Sequence, residues 1–398
     1  MLGRILVATL VAFASVALAA DLSGVNLGDV PQCGLLCIAN TVAAKSSCSP
    51  TDFPCVCADT ALTQELERCF ATECSPRDAL TTAKIAKDLC GAPARNIQLA
   101  VWLVPLINII LSTTFFILKL LSRVVLRQRF DIGDVALGIS VGLTFPVLWV
   151  AFELVGYGLG QDVWNIPQDN ITNILYLYWW AEIFYQAGLP LTRISILCFY
   201  LKVFPQRYIR WASIAFIVLN ASDLIAFVVA TVFQCYPIYG AWTFWDGSFE
   251  GHCNDIHLQG WVQAGINIAL DILVITLPLP PLSRLTVSRQ KKAQIMFMFS
   301  LGFFITIISI IRLKTLVVFA NSINVSFDYV EPGLYSITEA SVSIIIGCLP
   351  AVRALLRRVM PDLFASTRNL SVFSNGKPPK DEVSRQKFDR LEGTDTPP

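Results

Sequence analysis

Charged side chains are scarce. Asp, Glu, Lys and Arg make up 15% of the 398 residues, against roughly 25% in an average soluble domain, a deficit that excludes an ordinary soluble enzyme. Histidine is scarcer still: two in the whole chain leave little for histidine-based metal or acid–base sites. Neither sign of charge is in excess, with 30 basic and 29 acidic residues, so the total supports neither a nucleic-acid partner nor an acidic tail. No constellation of nucleophile and base, or of metal ligands, is recognisable, and the chain reads as a non-enzyme.

What is present is unevenly spread. Met1-Leu-Gly-Arg4 is followed by an apolar run from Ile5 to Leu18 and by Ala19-Ala20, the order of a secretory signal peptide over residues 1–20. The run is too short for a bilayer core that needs about 20 residues. Eight of the 12 cysteines then fall between Cys33 and Cys90, in a polar stretch, 21–95, that enters an oxidising compartment where thiols pair. A small stapled domain is expected there, with connectivity left open.

From residue 97 the pattern changes to long apolar runs: 97–121, 132–155, 174–200, 211–233, 258–282, 294–319 and 333–356. Each is long enough to cross a bilayer, so 96–356 is expected to be a seven-helix bundle and the whole chain all-α. Residues 357–398 are polar, rich in Pro, Ser and charge, and read as a disordered cytoplasmic tail.

Lys and Arg are missing from alternate loops. The connections after the first, third and fifth spans hold Arg123, Arg127, Arg129, Lys202, Arg207, Arg210, Arg284, Arg289, Lys291 and Lys292, whereas 156–173, 234–257 and 320–332 hold none. By the positive-inside rule the N-terminal domain lies outside and the tail in the cytosol, in agreement with the leader. The sequons Asn170-Ile-Thr172 and Asn324-Val-Ser326 fall in loops assigned outside and are candidate glycosylation sites.

The cysteine spacing is Pro31-Gln-Cys33-Gly34-Leu-Leu-Cys37, Cys48, Asp52-Phe-Pro-Cys55-Val-Cys57, Cys69, Cys74 and Cys90. It resembles the CFEM domain, the eight-cysteine module of fungal extracellular and membrane proteins. The resemblance implies a helical, disulfide-stapled basket and, in members that bind haem, an aspartate before the Cys-x-Cys pair as axial iron ligand. Asp52 stands there. A hard carboxylate suits ferric iron, while a turn or helix cap before Phe53-Pro54 is the alternative role.

In the spans, Phe233-Gln-Cys235-Tyr-Pro237, Ala241-Trp242, Cys253, Asn267-Ile-Ala-Leu-Asp271, Leu277-Pro-Leu-Pro280 and Ser195-Ile-Leu-Cys-Phe-Tyr-Leu-Lys202 are similar to the fungal rhodopsin-like integral membrane family. Joined to CFEM, the combination resembles fungal seven-helix receptors of G-protein-coupled type associated with surface sensing and pathogenicity. Retinal is excluded, because 333–356 holds no lysine for a Schiff base. No Asp-Arg-Tyr ends the third span and no Asn-Pro-x-x-Tyr the seventh, so G-protein coupling is implied by the resemblance and topology, not by a contact motif. Cys235 and Cys253 share one outer loop and are expected to form a local disulfide; Cys198 and Cys348 lie within spans and read as packing residues.

Charges inside spans need partners or a wet cavity. By depth, Glu153, Glu182, Glu339, Arg312 and Lys314 form one group near the outer surface, either a ligand pocket or an ion-pair cluster around Arg312. Asp223 and Asp271 lie near mid-membrane, Asn267 shares a helix face with Asp271, and Arg193 is placed to snorkel to the inner face. The basic loops with Arg353, Arg357 and Arg358 form a positive inner surface, explained by membrane lipid or by G-protein docking. The expected function is a receptor that senses an unknown extracellular ligand at the plasma membrane. CFEM-mediated haem or iron capture, or surface adhesion anchored by the bundle, are the alternatives.

Overall fold

The computed structural model describes residues 30–45, 48, 53–280, 289–319, 322 and 324–359. The leader, Asp52 and the tail beyond residue 359 lie outside them, as do the side chains of Arg284, Arg289, Lys291 and Lys292.

The N-terminal domain is four helices: α1 (Gln32–Lys45), α2 (Phe53–Ala58), α3 (Thr60–Glu73) and α4 (Pro76–Leu89). Local chemistry starts two of them. The Asp59 carboxylate accepts from the backbone N–H groups of Ala61 and Leu62 to open α3. The Ser75 hydroxyl accepts from Asp78 N–H, ahead of a proline in the first turn of α4 that has no N–H to satisfy. Their apolar faces enclose a core of Cys37, Val42, Val56, Leu62, Leu66 and Phe70. So small a core supplies little stability alone. Four disulfides add to it by restricting the unfolded chain: Cys33–Cys74, Cys37–Cys69, Cys48–Cys55 and Cys57–Cys90.

Seven long helices follow: α5 (Gln98–Val125), α6 (Ile132–Tyr157), α7 (Gln168–Val203), α8 (Arg207–Val232), α9 (Ile256–Thr276), α10 (Arg289–Phe319) and α11 (Val330–Val359). Six carry stretches long and apolar enough to cross a membrane. The exception, α7, is the longest at 36 residues, about 54 Å, and outruns the expected 174–200 at both ends. It is less apolar because protein surrounds it: α6 and α8 flank it, and α9 and α11 also touch it. A helix screened from lipid can carry Asp169, Glu182, Arg193 and Lys202. The ring closes through α9–α10, α10–α11 and α11–α5. Outward faces stay apolar, with Ile107, Ile110, Ile117, Phe145, Trp149 and Val218 exposed, as a lipid solvent requires. Cys198 and Cys348 are unpaired, Cys348 being buried.

The α8–α9 connection is pinned by Cys235–Cys253, which joins two short antiparallel strands, β1 (Cys235–Tyr236) and β2 (His252–Cys253). The N-terminal domain rests on this loop and on the α6–α7 loop. Arg77 of α4 faces Asp246 at 3.4 Å and Asp169 at 3.7 Å and lies 5.4 Å from the Trp245 ring centre. Gln168 donates to Arg77 O at 3.0 Å, and Lys87 sits 5.3 Å from the Trp164 ring centre.

Where the two parts join, Asp162 is 2% exposed. Its carboxylate accepts from Arg95 Nε at 2.9 Å, Arg95 Nη2 at 2.7 Å, Arg95 N–H at 3.0 Å and Asn324 Nδ2 at 2.7 Å. The chain reaches this point through Gly160, whose φ of +92° suits a residue without Cβ and whose added Cβ would meet Gln98 N at 3.0 Å. Asn324 is itself buried, and Val163 N–H donates to its side-chain oxygen at 2.9 Å. The sequon at Asn324 is therefore corrected: a glycan on Nδ2 cannot coexist with this buried bond to Asp162. Asn170 is half-buried, its amide 3.3 Å from Tyr157 O.

Burial opposes the Asp162 charge, but the Arg95 and Asn324 donors outweigh it and hold the carboxyl below the usual aspartate value. A depressed native pKa means stability that is present at neutral pH and lost as pH falls through that lowered value. Asp162→Ala is expected to cost about 1–3 kcal/mol at pH 7, read as a lower thermal midpoint of the detergent-solubilised chain. The gap from wild type should close only in strong acid; an unchanged midpoint at pH 7 refutes the junction's role.

Candidate functional site

Along α7, Tyr178, Glu182 and Tyr185 recur at helical spacing, and Trp179, Gln186 and Arg193 repeat every seven residues. Each set therefore forms a near-continuous stripe. These stripes face the interior and build a polar column beneath the N-terminal domain.

Nearest that domain the column is aromatic. Trp179 packs on Trp242 with centroids 5.4 Å apart, and Tyr178 on Tyr329 at 4.6 Å. The Trp179 indole donates to Thr231 O at 2.9 Å and the Tyr178 hydroxyl to Tyr329 O at 3.2 Å. One level deeper, Gln263 bonds Gln186, which reaches the Glu182 carboxylate at 3.4 Å and Thr231 Oγ1 at 3.5 Å.

At the same level α10 and α11 meet through Arg312 and Glu339, with Nε 3.0 Å from Oε2. Glu339 is fully buried and also accepts from Tyr185 at 3.0 Å and Ser309 at 2.6 Å. The Arg312 guanidinium lies 5.2 Å from the Tyr185 ring centre and is 3% exposed. Its Nη2 makes no hydrogen bond, and its Nε, though close to Glu339, is not aligned for one. Both Arg312 and Glu182 line a cavity of about 220 Å³ bounded by α5, α6, α7, α9, α10 and α11.

Two further levels complete the column. Arg193 donates to Asp271 Oδ1 at 2.8 Å, to Asn267 Oδ1 at 2.8 Å and to Asn267 O at 3.2 Å, with all of its partners buried. At the far end Asp134 lies between Lys119, at 3.3 Å, and Arg123, at 3.1 Å. There Lys119 also donates to Gly347 O at 3.4 Å and Ser122 to Ala351 O at 2.7 Å. Asp131 caps α6 and pairs with Lys202. Burial disfavours the Asp131 charge, yet Lys202 and the Gly133 N–H hold its carboxyl below the usual range.

A second cleft, of about 360 Å³, opens in the N-terminal domain between α1, α3 and α4. Its walls are largely apolar, including Val30, Leu35, Ile38, Leu66 and Phe70. Glu67 on its rim is paired with Lys87 at 2.6 Å. Among the described residues no group of three or more His, Cys, Asp or Glu stands ready to hold a metal ion.

Comparison with known proteins identifies the architecture. The fungal rhodopsin domain matches residues 118–358, more than half of the chain. The chain belongs to that family. The CFEM domain matches residues 26–91, so the stapled N-terminal unit is a CFEM domain and the whole is a receptor-like fungal membrane protein that crosses the bilayer several times. It is 31% identical over 217 residues to a SAT4 family membrane protein of Emericella nidulans, covering 54% of each chain. With Fugralins biosynthesis cluster protein 2 of Gibberella zeae it shares 23% over 260 residues, covering 62% of this chain and 63% of the relative. With Receptor GIN3 of Arthrobotrys oligospora it shares 25% over 204 residues, covering 51% and 48%. The match spans about half of the length of these curated relatives, and less than two thirds of each. No solved structure matches the chain.

All ten expected disulfide cysteines are bonded. Of the five outer charges, Arg312 and Glu339 meet and Glu182 shares their cavity, but Lys314 is exposed and Glu153 half-buried without a bond to Arg312. They sit at the right depth on the wrong faces of α10 and α6. Nor does Arg193 snorkel: a partner at mid-span satisfies it more cheaply than a stretched side chain. Asp223 takes no part in the Arg193–Asp271 ion pair, and its Oδ1 is without a hydrogen bond. The amide network and the Lys119–Asp134–Arg123 group escaped the sequence reading, since neutral amides carry no depth signal and nothing in sequence spacing pairs Lys119 with Asp134 across two helices.

Removing one partner of a buried pair strands the other, at about 3–5 kcal/mol. Asp271→Leu and Arg193→Met are each expected to lower the thermal midpoint and folded yield in detergent. The double substitution Arg193→Met with Asp271→Leu should recover much of the loss. Additive losses in the double variant would show that the two side chains do not act as a pair.

Proposed function

We propose that this chain is a plasma-membrane receptor with its CFEM domain outside and its tail in the cytosol, sensing an extracellular molecule and signalling through a heterotrimeric G protein. The observation that carries the reading is the cavity in the bundle: it lies beneath the CFEM domain and presents a buried, incompletely paired cation. Occupancy there would bear on α7, α10 and α11 together. Those helices run to the opposite end, where Asp134 and Asp131 hold α5, α6 and α7 in one arrangement. A ligand that favours a different arrangement shifts the population by its differential affinity. The absence of Lys and Arg from alternate loops supports the orientation, and the likeness to a protein named as a receptor supports the class.

The G-protein step has a direct test. In lipid nanodiscs the full chain is expected to accelerate guanine-nucleotide exchange on a fungal heterotrimer, and Arg357→Glu with Arg358→Glu to reduce the acceleration. Exchange no faster than with empty nanodiscs, both alone and with conditioned surface extracts, overturns this reading.

The CFEM cleft favours a second reading, haem capture. Its apolar walls suit a porphyrin face, Glu67 on its rim is engaged by Lys87, and the resemblance to haem-binding members gives Asp52 as the axial oxygen. The full chain titrated with haemin is then expected to show a shifted Soret band that Asp52→Ala removes. A spectrum indifferent to Asp52→Ala rules this ligand out.

A further inference from the structure

Three side chains that line the bundle cavity hold buried polar atoms without hydrogen-bond partners: Arg312 Nη2, Ser341 Oγ and Gln234 Oε1. All three residues are 5% exposed or less. An orphaned buried polar atom costs about 1–3 kcal/mol, and more when the group is charged, so three around one space point to an occupant that completes them. Single waters fit poorly as the whole answer: one needs about 15 Å³, the cavity measures about 220 Å³, and much of its wall is apolar, as at Val101, Val150 and Leu154.

The chemistry of the occupant follows from the polar set. Arg312 and Ser341 can both donate, and Arg312 is a planar cation whose fork suits a carboxylate. Its own partner, Glu339, is shared with Tyr185 and Ser309, which draws part of that negative charge away from the guanidinium. Glu182 accepts from Gln186 and repels a second carboxylate, so an anionic head is directed to the Arg312 side. Gln234 offers an acceptor for water or a ligand hydroxyl. We infer that the cavity is a binding site for an amphipathic carboxylic acid, its carboxylate on Arg312 and its hydrocarbon body against the apolar wall. The inference deepens the receptor reading by giving the ligand a chemical class.

The test is saturable binding of tritiated decanoic acid to the full chain in lipid nanodiscs. Unlabelled decanoic acid should displace it, while methyl decanoate and decylamine should not. Arg312→Gln is expected to weaken binding roughly tenfold or more, the loss of a charge-assisted hydrogen bond. Because that variant also removes the Glu339 partner and can fail to fold, a second variant leaves the ion pair intact: Ala340→Phe, expected to abolish binding by filling the space.

Absence of saturable binding, equal displacement by the ester, preference for the amine, or unchanged binding in Ala340→Phe each overturns the assignment. Nucleotide exchange is no part of this readout. Acid binding without exchange overturns the receptor reading alone, and exchange driven with no acid binding overturns this inference alone.

Discussion

A charge in the middle of a bilayer costs at least 2.5–3.5 kcal/mol, roughly, even on permissive insertion scales, unless a counter-charge or a wet cavity receives it. The bundle is organised around that cost. Arg193 is met by Asp271 and Asn267, Glu339 by Arg312, Tyr185 and Ser309, and Asp134 by Lys119 and Arg123. Each set joins different helices: α7 to α9, α10 to α11 and α7, α5 to α6. Lipid provides no hydrophobic force between apolar helices, so these contacts, with close packing, set which faces meet. The same rule explains why the least apolar helix, α7, is the central one.

Arg312 departs from full satisfaction at two atoms, Nε and Nη2. Deeper in the column Asp271 Oδ2 and Arg123 Nε also lack a hydrogen-bond partner, but of these three residues it is Arg312 that lines the cavity. The half of the column nearest the CFEM domain thus differs from the far half in having its unpaired cation beside open space. Between them, Tyr185 bonds Glu339 while its ring lies against the Arg312 guanidinium. A change at the cavity therefore bears on the α10–α11 pairing through direct contacts.

The CFEM domain is attached by more than its chain connection. Arg77 and Lys87 of α4 reach the α6–α7 and α8–α9 connections, and Arg95, at the end of the domain, is locked to Asp162. The Cys235–Cys253 disulfide holds one of those loops in place. Movement of α4 would thus be felt at Trp242, through the loop that carries it, and at the aromatic mouth of the column.

Much of this was legible in one dimension. Bilayer thickness turns apolar run length into helix count, and an oxidising compartment turns cysteine density into a stapled domain; neither needs a fold. Depth was legible too, since rise per residue is constant, and it put Glu182, Arg312 and Glu339 at one level. Rotation was not. Which face of a helix meets which neighbour depends on how seven helices pack together, so only the tertiary structure separated Arg312 from Lys314, gave Arg193 its partners, buried Asn324 against Asp162 and chose the disulfide pairs. Sequence determined what had to be satisfied in the membrane; packing decided by whom, because a partner must be near in space and not in sequence.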